Sequence, residues 1–167
     1  MVTFLFVYKN VNMKDTEVFF EAIRSGDLDR VMALLNINPK LVDARDSRGF
    51  TPLIFASYFD KETVVNMLLE HNAKIDDVDA SGNTALSGLC FKGNLSLVNK
   101  FVHSGANLNT QNHVGTTPLM FAATYGKEDI VKLLLEHGAD TSIKDQHGKT
   151  AADYAQEKAF ESIVKVL

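Results

Sequence analysis

Histidines, a cysteine and loop carboxylates are the residues here that could do chemistry, and their spacing gives little support to any reaction. There are five histidines. His71, His103 and His137 recur at nearly equivalent places about 33 residues apart, which raises the question of a metal. Helices stacked at that repeat would lie about 8–10 Å apart, too far for equivalent positions to share one ion. All three also end apolar helical runs, where a partly cationic imidazole suits the helix dipole. His113 and His147 have no carboxylate or sulfur partner at ligand spacing. Cys90 is the single cysteine, so an internal disulfide or a cysteine-based zinc cluster is excluded. It has no histidine close in sequence and reads as a small buried hydrophobe. The acidic loop Asp76, Asp77, Asp79 lacks the closing Glu of a calcium loop. No nucleophile elbow, zinc-protease pair or phosphate-cradling glycine loop occurs. The expectation is no enzyme, no metal and no cofactor.

Composition points the same way. A hydrophobic fraction of 46% and a charged fraction of 23% suit an ordinary folded chain of 167 residues. The net charge of −4 and the lack of any basic run argue against nucleic acid as a partner.

The elements that must position any working residue repeat. Gly49, Gly82, Gly115 and Gly148 are each 33 residues apart. Two places after each glycine stands Thr51, Thr84, Thr117 or Thr150, and three places before it stands Asp46, Asp79, Asn112 or Asp145. The register continues through Leu53, Leu86 and Leu119, then Ala73, Ala106 and Ala139. Each unit predicts a tight turn, a threonine cap and a short first helix, with Pro52 and Pro118 at a first position that needs no N–H. A second turn is expected at Gly26, Asp60, Gly93 or Gly126. The second helix carries paired apolar residues four apart, such as Val64-Val65 with Leu68-Leu69. Gly105, Gly138 and Asn72 are placed to end it. One helix pair cannot bury its apolar side alone, so the units must stack.

With the D-x-x-G-x-T-P-L start, the glycine between helices and the G-A after the second helix all in register, the units resemble ankyrin repeats. The resemblance covers residues 17–167, as repeats of about 17–45, 46–78, 79–111, 112–144 and 145–167, with 1–16 as an N-terminal extension. It implies an all-α solenoid of stacked antiparallel helix pairs with β-hairpin-like loops. It also implies a protein-binding module (adaptor, inhibitor or scaffold) that grips its partner through the concave face and loop tips. A small accessory protein that stabilises a neighbouring membrane or redox protein is the alternative. A metal-dependent enzyme on the same scaffold comes last.

Two departures from the family pattern matter. The histidine that usually follows T-P-L and braces neighbouring loops is replaced by Ile54, Ser87, Met120 and Asp153, so part of that bracing is expected to be missing. In the third unit Gly88 falls inside the first helix, where a core residue is expected, with Leu89 where alanine is usual. A helical glycine costs about 1 kcal/mol relative to alanine, which marks this unit as the weakest or a displaced one.

Aligning the units on the family places Tyr58, Phe59, Phe91, Lys92 and Tyr125 at the ends of successive first helices, on the concave face. Phe50 borders that face, while Phe55 and Phe121 fall at core positions. Exposed aromatic rows mark contact surfaces and dominate binding hot spots. The alternative for Phe59 and Phe91 is a ring folded back over its own turn. Arg48, Ser81 and His113, with Arg45, Ser47, Asp79, Asn112 and Gln146, would form the polar rim. Arg24 and Lys92 add positive charge, which suits a partner with a mixed or acidic strip.

The partner is therefore another protein, with no membrane involved and the array monomeric. The opening MVTFLFVYK is too short to span a bilayer and lacks the basic start and small-residue cleavage site of a secretory signal. An extension packed on the first repeat, a start at Met13 and a secreted or periplasmic form all stay open, with cytoplasmic location the leading expectation.

Overall fold

A computed structural model of the chain describes residues 15–167, and its architecture follows the repeat. The described residues form helices α1 (Asp15–Ser25), α2 (Leu28–Ile37), α3 (Pro52–Tyr58), α4 (Glu62–Glu70), α5 (Ala85–Lys92) and α6 (Leu95–His103). They continue through α7 (Pro118–Thr124), α8 (Glu128–Glu136), α9 (Ala151–Glu157) and α10 (Glu161–Val164). Odd-numbered helices stack in one row and even-numbered helices in a second row outside it, with the inner row packed the more closely. A short 3-10 helix (Pro39–Asp43) follows α2 and leads into the next loop. The first helix among the described residues, Asp15–Ser25, includes two residues of the extension read from the sequence as 1–16. Apart from those two residues, the N-terminal extension lies outside the described residues.

Local chemistry sets each helix. The side chains of Thr51, Thr84, Thr117 and Thr150 accept hydrogen bonds from the backbone N–H three residues on. Each such cap contributes about 1 kcal/mol. Pro52 and Pro118 open α3 and α7 as expected. The turns between paired helices are left-handed at Gly26, Asp60, Gly93 and Gly126. The last unit uses Ala159 at the same place, with φ of +57°. No turn-forming side chain announces that position, and the backbone adopts it at a cost of about 1–2 kcal/mol.

The paired apolar residues of the outer helices point inward. Val64, Val65, Leu68, Leu97, Val98, Phe101, Ile130, Val131 and Leu134 are all buried, and with the inner-helix residues they form one continuous core. Fully burying each Val, Leu or Ile side chain is worth about 1.5–3 kcal/mol, so the stacking of units stabilises helices too short to persist alone.

The loops between units are tight reversals. Asp79 accepts from the backbone N–H of Ser81 and Asn83 at 2.8 and 2.9 Å, and Asp46, Asn112 and Asp145 do the same in their own loops. Adjacent loops then join, His113 N–H donating to Ser81 O at 3.0 Å and Gln146 N–H to Val114 O at 3.1 Å. The approach is so close that a Cβ on Gly82 would stand 2.7 Å from the His113 ring and 2.8 Å from its backbone nitrogen. Gly82 also has φ of +82°, so conformation and space both require glycine there.

The bracing between loops is present, carried by other residues than the family's histidine. The Arg45 guanidinium donates to Gly49 O and Val78 O and reaches Asp77. Two units on, Gln111 Nε2 donates to Gly115 O at 2.9 Å and Lys144 O at 3.1 Å. A side chain with two or more N–H donors thus ties a loop to its successor, which corrects the expectation of a bracing deficit.

Candidate functional site

The inner helices and loops present one aromatic surface. Tyr58, Phe91 and Tyr125 end α3, α5 and α7 and are 48%, 44% and 48% exposed. Tyr58 and Phe91 follow their threonine caps by seven residues and Tyr125 follows its own by eight, so all three stand at the ends of successive inner helices. Phe91 leans toward the next unit, edge to face with Tyr125 at 4.5 Å between centroids and with Phe121 at 6.4 Å. Tyr58 packs on Phe50 at 5.9 Å. Rings held by rings lose little freedom on contact with a partner.

Phe59 does not join this row. Its ring folds back on Phe55 at 4.7 Å and meets Tyr58 edge on, leaving it half-buried at the margin of the core. Phe55 is buried as read from the sequence, in contact with Phe20. Phe121 is only partly buried and forms a wall of the face.

Gly88 faces outward. The helix α5 runs through it without interruption, capped by Thr84, and nothing lies within 4 Å of where its Cβ would be. The core position belongs to its neighbour Leu89, which is 1% exposed. The flanking units have Phe55-Ala56 and Phe121-Ala122 at these two places. In the third unit the bulk has moved from the face into the core, leaving a notch of about 190 Å³ where a phenyl ring would otherwise stand. Its walls include Phe50, Ile54, Tyr58, Phe91 and Phe121. The core position expected at Gly88 is thus filled by Leu89 in an unbroken helix, which corrects the placement read from the sequence.

The basic residues of this surface are paired within the chain. Lys92 donates to Asp60 and to Tyr58 O, and Arg24 pairs with Glu21 at 2.6 Å. Arg48 pairs with Asp46 at 3.1 Å while its guanidinium lies 4.3 Å from the Phe50 ring centroid. Partial burial opposes ionisation of Asp60, but hydrogen bonds from Lys92 and Asn94 outweigh it and hold the carboxyl below its ordinary value. The surplus positive charge expected from Arg24 and Lys92 is therefore not there. Ser81 and His113 are exposed on the loops, although Ser81 O and His113 O accept hydrogen bonds from the following loop.

The remaining chemical candidates have structural surroundings. Cys90 is fully buried, and burial pushes its thiol above the ordinary range. The His103 and His137 rings approach to 5.2 Å, closer than the spacing of their helices suggests, because side chains lean between units. Their Nδ1 atoms bond Asn99 O and Leu133 O. Among the described residues no group of three or more His, Cys, Asp or Glu side chains is placed to hold a metal ion, and no helix is long and apolar enough to cross a membrane.

Sequence comparison agrees with the architecture. The family model described as ankyrin repeats (3 copies) matches residues 1–79, 19–112 and 86–167.

Proposed function

Because the chain belongs to the ankyrin-repeat family, whose repeats are generally protein–protein interaction modules, we propose that it acts as an adaptor, inhibitor or scaffold that grips one partner polypeptide on its inner face. The observation that carries this reading is the row of Tyr58, Phe91 and Tyr125, each close to half exposed. Water gains nothing from these rings, whereas a partner that covers them removes apolar area and meets aromatic edges already fixed in place. Phe50 and Arg48 extend the row toward the loops, and Ser81 and His113 supply a polar rim.

Binding is preferred to catalysis because the surface offers contact area and no activated group. Cys90 is sealed, and Lys92 is committed to Asp60 and Tyr58 O. The reading includes a monomeric array in a reducing compartment such as the cytoplasm, where a lone buried thiol needs no partner.

The test is the double variant Tyr58→Ala with Tyr125→Ala in a pull-down from the native organism. Loss of the wild-type partner is expected, with a melting temperature within a few degrees of wild type, since neither ring is buried. Retention of the same partner at undiminished yield would overturn the assignment, and so would unfolding on the scale of a lost core side chain.

A further inference from the structure

The notch at Gly88 has the size, walls and floor of a socket for one side chain. An apolar cavity of about 150 Å³ is enough to hold a benzene ring, and this one measures about 190 Å³. Four rings stand around it: Phe50 and Tyr58 on one side, Phe91 and Phe121 on the other. Such walls favour an aromatic occupant, which meets them edge to face, and exclude a charged one.

Ser57 adds a polar requirement. It lines the same notch, is 2% exposed, and its Oγ has no hydrogen-bond partner. A buried hydroxyl without a partner is uncommon and costly. Ser87, the other serine of the lining, differs in that its Oγ is matched with Thr84 Oγ1 at 3.1 Å. An occupant that fills the apolar volume and also satisfies Ser57 needs a ring with a hydroxyl on it.

The rim supplies the charge. Lys92 and Arg48 are neutralised by Asp60 and Asp46. Asp79 lines the notch, and among the described residues no cation pairs with it, its Oδ1 being held by the N–H groups of Ser81 and Asn83. A carboxylate at the mouth of an apolar socket complements a cation next to the entering side chain.

We propose that the Gly88 notch receives a single tyrosine side chain of the partner polypeptide, with a lysine or arginine adjacent to that tyrosine in the partner's sequence. The proposal rests on the reading that the inner face binds a polypeptide. The ring occupies the space that Phe55 and Phe121 fill in the neighbouring units, and its hydroxyl pairs with Ser57 Oγ. The adjacent basic residue lies over Asp79.

The experiment selects displayed random short peptides on the full chain and measures the best one against variants. Enriched sequences should share a tyrosine beside Lys or Arg. Gly88→Leu fills the notch without meeting any atom at its Cβ, and it should weaken the selected peptide more than tenfold while the chain still melts cooperatively. Should that variant fail to fold, Gly88→Ala takes its place with a severalfold loss. Replacing the peptide's tyrosine by phenylalanine should cost about fivefold on the wild type, the size of one neutral hydrogen bond, and nothing on Ser57→Ala. Undiminished binding to the Gly88 variants overturns the proposal, as does equal binding of the tyrosine and phenylalanine peptides to the wild type, or enrichment of aliphatic or tryptophan peptides. If Tyr58→Ala with Tyr125→Ala abolishes peptide binding while Gly88→Leu does not, the notch assignment falls and the binding face stands. If no peptide is enriched, both fall.

Discussion

Replacing Gly88 by alanine should stabilise the protein, an unusual outcome for a change in the middle of a packed array. Gly88 lies within α5, four residues past its threonine cap, and its φ is not in the positive range. An L-residue therefore adopts the same backbone without strain. Its new methyl group would meet no atom within 4 Å, so neither a clash nor a packing gain enters the sum. What is left is the backbone entropy that glycine loses on entering a helix, about 1 kcal/mol relative to alanine. With an unfolding entropy of about 2.1 cal/mol/K per residue, that gain raises the melting temperature of a chain of 167 residues by about 3 °C. The assay is thermal unfolding followed by far-UV circular dichroism, with calorimetry to test that the array melts as one unit, since repeat arrays can lose cooperativity. Gly82→Ala is the paired control. Its Cβ would stand within 3 Å of His113 and its φ is +82°, so it should lower the melting temperature by more than Gly88→Ala raises it. A fall on Gly88→Ala would refute the reasoning, because it would mean that the notch is closed by something that needs the glycine.

Two further changes test the bracing and the C-terminal unit. Arg45→Ala removes the ties to Gly49 O, Val78 O and Asp77 and should cost about 1 kcal/mol. Hydrogen exchange should speed up at the Ala80 amide, which bonds Arg48 O in the same loop pair; unchanged exchange there would mean that Arg45 merely decorates the surface. In the last unit the Tyr154 hydroxyl donates to Asp145, and that bond together with burial pushes the tyrosine up to about 12. Its folded value lies above the unfolded value near 10, so its stabilisation is complete below about pH 10 and disappears as pH rises through about 12. Wild type should lose stability across that window, measured by urea unfolding, and Tyr154→Phe should begin about 2 kcal/mol less stable and show a flatter decline. An equally steep decline in Tyr154→Phe would show that another group governs the alkaline limb.

Local and periodic features could be read directly from the chain. The threonine caps, the prolines at first helical positions, the left-handed turns at Asp60 and Asn72, and the paired apolar residues of the outer helices all sit where the sequence reading puts them. Each depends on residues within one helical turn or on a pattern repeated every 33 residues, so neighbouring units reinforce the same inference. The array and its inner aromatic surface were legible for that reason. The left-handed Ala159 was not, because only the packing of α10 on α9 holds an alanine in that conformation.

The tertiary structure alone decided how side chains meet across units. A helix turns about 100° per residue, so a one-residue transposition sends Gly88 to the surface and Leu89 to the core, and no local signal distinguishes that exchange from a defect. Phe59 turns back to Phe55, whereas Tyr125, at the equivalent position two units on, meets Phe91. Arg24 and Lys92 read as free charges until Glu21 and Asp60 are seen beside them. The Lys92–Asp60 pair and the Phe91–Tyr125 contact depend on atoms that are brought together only when one unit is stacked on the next, and a stretch of sequence does not contain the space between them.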